Sequence, residues 1–265
     1  MEPMTIREIM DAVGGKLLGE FGDINRTVGR VETDSRTIHA GSLFVPLVGE
    51  RFDGHAYINA ALEGGALGCL TARERESYRP DRFYIKVAST QRALRDLAKY
   101  YKKKFPIPVV ALTGSVGKTT TKDMVAAVLG EKYRVLKTEG NLNNEIGVPM
   151  TLLRLSGEHE IAVLELGMNH AGEIDYLSAL VEPDVVLMTN IGDSHIEHFG
   201  SREKILEAKS EIFHHVKSGA FVVINGDDPL LNTLPGKLPY AFTRVGAGEG
   251  LDYRAEGLVS DGKSH

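Results

Sequence analysis

The run Gly114-Ser115-Val116-Gly117-Lys118-Thr119-Thr120-Thr121 sets two glycines, a lysine and four hydroxyls between an apolar stretch and a helix-forming one. Glycines let successive backbone N–H groups turn toward an anion, and a helix N-terminus adds its positive end. In such a loop Lys118 would neutralise the outer phosphates of a nucleotide, and the Thr119 hydroxyl would ligate Mg²⁺. The spacing is shorter than usual. The common phosphate loop has four residues between its glycines, whereas here Leu112 stands in the first glycine's place and only Ser115 and Val116 separate Gly114 from Gly117. A glycine turn that caps a helix, with Lys118 merely solvated, is the competing reading. The order strand, loop, helix favours the nucleotide.

Three further residues have chemistry to offer. Glu165 closes the apolar run 161–166, where a carboxylate either faces the phosphate crevice and holds a hard cation or reaches solvent. His195 follows the strand-like run 184–190 in Ile191-Gly192-Asp193-Ser194-His195, as a metal ligand or as a surface group. Lys209 lies on the helical stretch 201–217, whose apolar face holds Ile205, Ala208, Ile212, Phe213 and Val216. At ~100° per residue it falls near the middle of that stripe. A lysine directed into apolar surroundings favours its neutral, nucleophilic amine, unless it snorkels to the edge.

Strand-like runs at 109–113, 134–138, 161–166, 184–190 and 220–225 alternate with helical stretches at 118–130, 172–181 and 201–217. That alternation predicts a parallel sheet with helices on both faces and ligands at the carboxyl rim. Upstream, 91–105 reads as a helix with Leu94, Leu97, Ala98 and Tyr101 on one face; Lys102-Lys103-Lys104 suits its negative end, and Pro106 and Pro108 stop it. The first hundred residues carry short strand candidates at 30–34, 42–46 and 83–87. The expected fold is therefore α/β: a small N-terminal α/β domain, 1–105, followed by a mostly parallel-sheet, P-loop ATPase-like central domain, 106–265.

Bulk properties narrow the class. With 42 % hydrophobic and 25 % charged residues, the composition is that of a soluble globular protein. A net charge of −5 argues against a nucleic-acid partner, and no apolar run reaches the ~20 residues that membrane insertion needs. Cys69 alone can form neither an internal disulfide nor a thiolate cluster, and the expected location is the cytoplasm. Nothing in the sequence sets an oligomeric state.

In this order the pieces resemble the Mur ligase family. The resemblance runs through Thr113-Gly114-Ser115-Val116-Gly117-Lys118-Thr119-Thr120, Gly140-Asn141-Leu142-Asn143-Asn144-Glu145-Ile146-Gly147-Val148-Pro149 and Glu165-Leu166-Gly167-Met168-Asn169-His170. It continues through Thr189-Asn190-Ile191 with His195, Ala208-Lys209-Ser210-Glu211-Ile212-Phe213 and Asn225-Gly226-Asp227-Asp228-Pro229. Upstream, Asp34-Ser35-Arg36 and Asp53-Gly54-His55 fit the region that receives the UDP end of a precursor. The asparagine-rich segment and the pair Asn169-His170 most resemble the branch that joins D-alanyl-D-alanine to UDP-MurNAc-tripeptide through an acyl phosphate.

The resemblance implies ATP on the loop, and two Mg²⁺ held by Thr119, Glu165, His195 and a carbamylated Lys209. It also implies Asn225 near the adenine, Asn144, Asn169 and His170 near the reacting groups, and Ser35 and Arg36 on UDP. Asn144 could instead cap the helix that follows it, Asn225 could shape a turn, and Ser35 and Arg36 could belong to an ordinary polar loop. Family members carry a third, C-terminal domain, so a chain ending at Ser264-His265 is expected to be a truncated form that binds nucleotide or precursor and fails to ligate alone. The rival readings are a diamino-acid-adding ligase, a non-catalytic nucleotide-binding fragment and, more distantly, a switch GTPase.

Overall fold

Runs such as Val109–Thr113 and Ile161–Glu165 are apolar at almost every position, the pattern of strands covered on both faces. In the computed structural model, which describes residues 1–49 and 52–257, they are neighbouring inner strands of a 7-stranded sheet. Its order is Val135–Lys137, Ile161–Glu165, Val109–Thr113, Val185–Met188, Phe221–Asn225, Phe242–Gly246 and Tyr253–Arg254, with every pairing parallel. The last two strands add to the five expected ones. The terminal Ser264-His265 lies outside the described residues.

Helix Lys118–Gly130 packs on one face: Ala126 meets Val110, Leu112 and Val163, with Val125 and Leu129 beside them. Because parallel crossovers are right-handed, that helix, which carries the chain from Val109–Thr113 back past Ile161–Glu165, lies opposite the helices that carry it forward. These are Glu173–Val181 and Arg202–Ser210, the latter tightening into a 3₁₀ turn at Glu211–His215. The Ser178 hydroxyl donates to the Ile212 carbonyl at 2.7 Å and ties this layer together.

The chain divides into two compact units, Met1–Pro106 with Pro149–Glu158, and Ile107–Val148 with His159–His265. The expected border at 105/106 falls beside the first division, but 149–158 groups with the first unit. There the Tyr101 hydroxyl donates to the Leu155 carbonyl at 2.6 Å, and the Gly157 N–H donates to Glu2 at 2.7 Å. The first unit's 5-stranded sheet has the order Lys16–Leu18, Phe83–Lys86, Gly68–Thr71, Leu43–Phe44 and Val31–Glu32. Helix Thr90–Lys102 starts on the Ser89 side chain and buries Leu94, Leu97, Ala98 and Tyr101, the four residues its periodicity picks out. Cys69 is buried in this unit, and burial pushes its thiol up to about 12, so it is chemically inert. No helix among the described residues is long and apolar enough to cross a membrane.

Candidate active site

The strand Val109–Thr113 ends in Gly114 at φ +153°, and a side chain there would collide with the Thr189 hydroxyl. Gly117 takes φ +78° and starts the helix with no side-chain cap. That leaves the N–H groups of Lys118, Thr119 and Thr120 without a backbone acceptor among the described residues. A left-handed turn opening onto unpaired helix amides is an anion cradle. The loop 189–194 braces it. Ser115 N–H donates to the Asn190 carbonyl at 2.9 Å and Val116 N–H to Asn190 Oδ1 at 3.0 Å; the Thr189 hydroxyl donates to the Val116 carbonyl at 2.8 Å, and Gly192 N–H donates to Ser115 Oγ at 2.8 Å. Asp228, buried behind this loop, accepts from the N–H groups of Ile191, Leu230 and Leu231 at 2.7–3.0 Å.

Lys118 folds back over the cradle and donates to the carbonyls of Gly114 and Ser115 at 3.0 and 3.2 Å. Burial lowers its pKa, partly offset by Glu165. The Thr119 hydroxyl donates to Glu165 Oε2 at 2.9 Å, and Asn143 Nδ2 donates to Oε1 at 2.7 Å. Glu165 is only 1 % exposed, and its own N–H is held by the Thr138 hydroxyl at 3.0 Å. A buried carboxylate beside a loop hydroxyl is the hard oxygen pair that Mg²⁺ takes when its other ligands are phosphates and water. No group of three or more His, Cys, Asp or Glu that could hold a metal ion is found among the described residues.

Lys209 is 1 % exposed, inside the stripe that its helical position picks out, with Ile205, Ala208, Ile212 and Phe213 also buried. Burial first, then the nearby Lys118 cation, lowers its pKa to about 7. His195 takes φ +65°, a left-handed conformation uncommon for any residue but glycine, at the start of Ile196–Phe199. Its pKa is lowered by burial, then by Lys209 and Lys118, a shift that favours the neutral ring. Lys118, Lys209 and His195 therefore share one electrostatic neighbourhood at the carboxyl rim.

The other expected residues are placed differently. Asn144 Oδ1 accepts from Gly147 and Ile146 N–H at 2.8 and 3.2 Å, a local cap; its neighbour Asn143 is the one that reaches Glu165. Asn169 and His170 are exposed, and both are engaged by Glu173, through the Asn169 N–H at 2.7 Å and His170 Nδ1 at 3.1 Å. Asn225 Oδ1 accepts from Asp227 N–H at 2.9 Å and shapes a turn, while the residue also lines an apolar cavity of about 290 Å³ with Thr121, Leu187, Thr189, Val223 and Val245. In the first unit, Ser35 and Arg36 line a separate cavity of about 380 Å³ with Thr33, Asp34, Phe44, Phe52 and Tyr57. Arg36 is held by Asp34 at 2.6 Å, and the Phe52 and Tyr57 rings stack at 5.4 Å. Sequence reasoning passed over Asn143, Thr138, Asn190 and Asp228. The first, third and fourth stand inside the quoted motifs, and that was their only signal.

The family model described as the Mur ligase middle domain matches residues 112–263, and that described as Mur ligase family, catalytic domain, matches 27–102. The chain belongs to the Mur ligase family. It is similar to the UDP-N-acetylmuramoyl-tripeptide–D-alanyl-D-alanine ligases of Bacillus subtilis, 45 % identical over 227 residues, and Escherichia coli, 42 % over 228. Each alignment covers 86 % of this Mur ligase chain and 50 % or 49 % of the relative, so the chain spans about half the length of the curated relatives it matches. Among solved structures, a MurF of Acinetobacter baumannii gives a TM-score of 0.87 at 37 % identity, over 95 % of this chain and 54 % of that one. MurF of Thermotoga maritima in complex with ADP gives 0.77 at 37 %, over 84 % and 51 %.

Proposed function

We propose that this chain is the precursor- and ATP-binding part of an ATP-dependent ligase that joins D-alanyl-D-alanine to UDP-MurNAc-tripeptide. The observation that carries this reading is the 45 % identity to a ligase of that name across both units, in a chain whose rim gathers Lys118, Thr119, Glu165, His195 and Lys209. The ADP complex of the Thermotoga relative supports nucleotide on the loop. Thr121, Thr189 and Asn225 would line the adenine cavity, and Ser35 and Arg36 the UDP end.

Each residue contributes through its local physics. The helix amides of Lys118 to Thr120 and the Lys118 ammonium hold the β- and γ-phosphates as charge moves between them. Thr119 and Glu165 would hold one Mg²⁺, and His195 with a carbamylated Lys209 a second; the ions would supply charge neutralisation at the phosphates. The neutral Lys209 amine attacks CO₂, an N–C bond forms, and the nitrogen releases a proton to solvent. The product is an anion facing Lys118 where a neutral amine had stood.

A precursor carboxylate oxygen then attacks the γ-phosphorus, and the bond to the β–γ bridging oxygen breaks, giving an acyl phosphate and ADP. The dipeptide amine attacks the acyl carbon, phosphate leaves, and the amine proton is lost as the amide forms. The test is phosphate release from ATP with UDP-MurNAc-tripeptide and either D-alanyl-D-alanine or a diamino acid, on this chain and on the Bacillus relative. The expected result is release with the dipeptide by the full-length relative, and ATP binding by this chain that Lys118→Ala abolishes. Release driven by the diamino acid would overturn the specificity. ATP binding by this chain without release would assign it a binding role on its own.

A further inference from the structure

Thr113 is fully buried at the end of the strand that feeds the phosphate loop, and its Oγ1 has no hydrogen-bond partner among the described residues. A buried hydroxyl left unpaired is costly enough to need a reason. Side chains alternate along the strand. Val110 and Leu112 meet helix Lys118–Gly130, so Thr113 points to the opposite face, the one that carries Arg202–Ser210 and Lys209. Thr113 adjoins Gly114, whose carbonyl holds the Lys118 ammonium at 3.0 Å, and Lys118 is the charge that Lys209 feels. On its other side Thr113 pairs with Met188, and the chain runs on from there through Thr189 to His195.

We propose that the Thr113 hydroxyl is a positioning residue that donates its hydrogen bond to a carbamate oxygen on Lys209, fixing the rotation of that group toward the rim. A carbamate offers acceptor oxygens, the complement of an orphaned donor, and a bond to an anion is stronger than one to a neutral group. The inference rests on the carbamylation of Lys209 proposed above, and it makes and breaks no covalent bond of its own.

The test is ¹³C NMR of the chain in ¹³C-bicarbonate at fixed pH, with Lys209→Ala identifying the carbamate signal. Thr113→Val keeps shape and strand preference but removes the hydroxyl, so the bicarbonate concentration for half occupancy should rise at least ~10-fold. Thr113→Ser should stay near the wild-type value, and the thermal midpoint of Thr113→Val should equal or exceed wild type, since an unpaired buried polar atom is gone. Equal carbamate occupancy in wild type and Thr113→Val overturns the proposal while leaving carbamylation intact. A wild-type chain with no Lys209-dependent signal removes carbamylation itself, and the proposal with it.

Discussion

Replacing Lys209 with methionine should stabilise the folded chain while removing its proposed chemistry. The side chain is 1 % exposed, and its pKa falls from 10.5 to about 7 through burial and the Lys118 charge. The sign follows from linkage. Between these values the unfolded chain binds a proton that the folded chain does not, so stability falls as pH drops from about 10.5 to about 7 and is level below that. At about 1.4 kcal/mol per unit, the span corresponds to a cost on the order of 4 kcal/mol at pH 7. Methionine has similar volume and no charge to desolvate, so Lys209→Met escapes that cost. Urea unfolding of wild type and variant at pH 7, 8, 9 and 10, in CO₂-free buffer, should show a stability difference of several kcal/mol at pH 7 that shrinks as pH rises. Added bicarbonate should then stabilise wild type alone, by mass action. Equal stability and equal pH slopes for the two proteins would falsify the buried-amine account.

Two other substitutions probe the frame around that amine. Glu165→Gln removes the buried charge that Thr119 and Asn143 both face; Mg²⁺-dependent nucleotide affinity should fall about 10–100-fold by calorimetry, with metal-free affinity little changed. Asp228→Ala leaves the N–H groups of Ile191, Leu230 and Leu231 without their acceptor, and should cost about 3 kcal/mol in chemical denaturation; a loss below about 1 kcal/mol would show that the brace is dispensable.

The parallel sheet was legible because its strands are nearly continuous apolar runs, and Lys209 was legible because helical period alone carried it into a buried stripe. The strands Phe242–Gly246 and Tyr253–Arg254 were not, since Thr243, Arg244 and Arg254 interrupt any apolar pattern and their pairing comes from neighbours in space. The late helix tightens at Glu211, whose carboxylate accepts from the N–H groups of Gly172 and Asp175, a long-range demand that local periodicity cannot register. Asn143 and Asn144 are adjacent residues of one type, and only the turn they occupy sends one to Glu165 and the other to a cap. Likewise the grouping of 149–158 with the first unit depends on Tyr101 and Glu2, residues distant in sequence.

The most direct measurement is a crystal structure of the chain soaked with a non-hydrolysable ATP analogue and Mg²⁺. The account requires the β- and γ-phosphates on the amides of Lys118, Thr119 and Thr120, a cation touching both Thr119 and Glu165, and the base beside Asn225. An empty loop with the analogue bound elsewhere, or Lys209 turned out into bulk water, would contradict it.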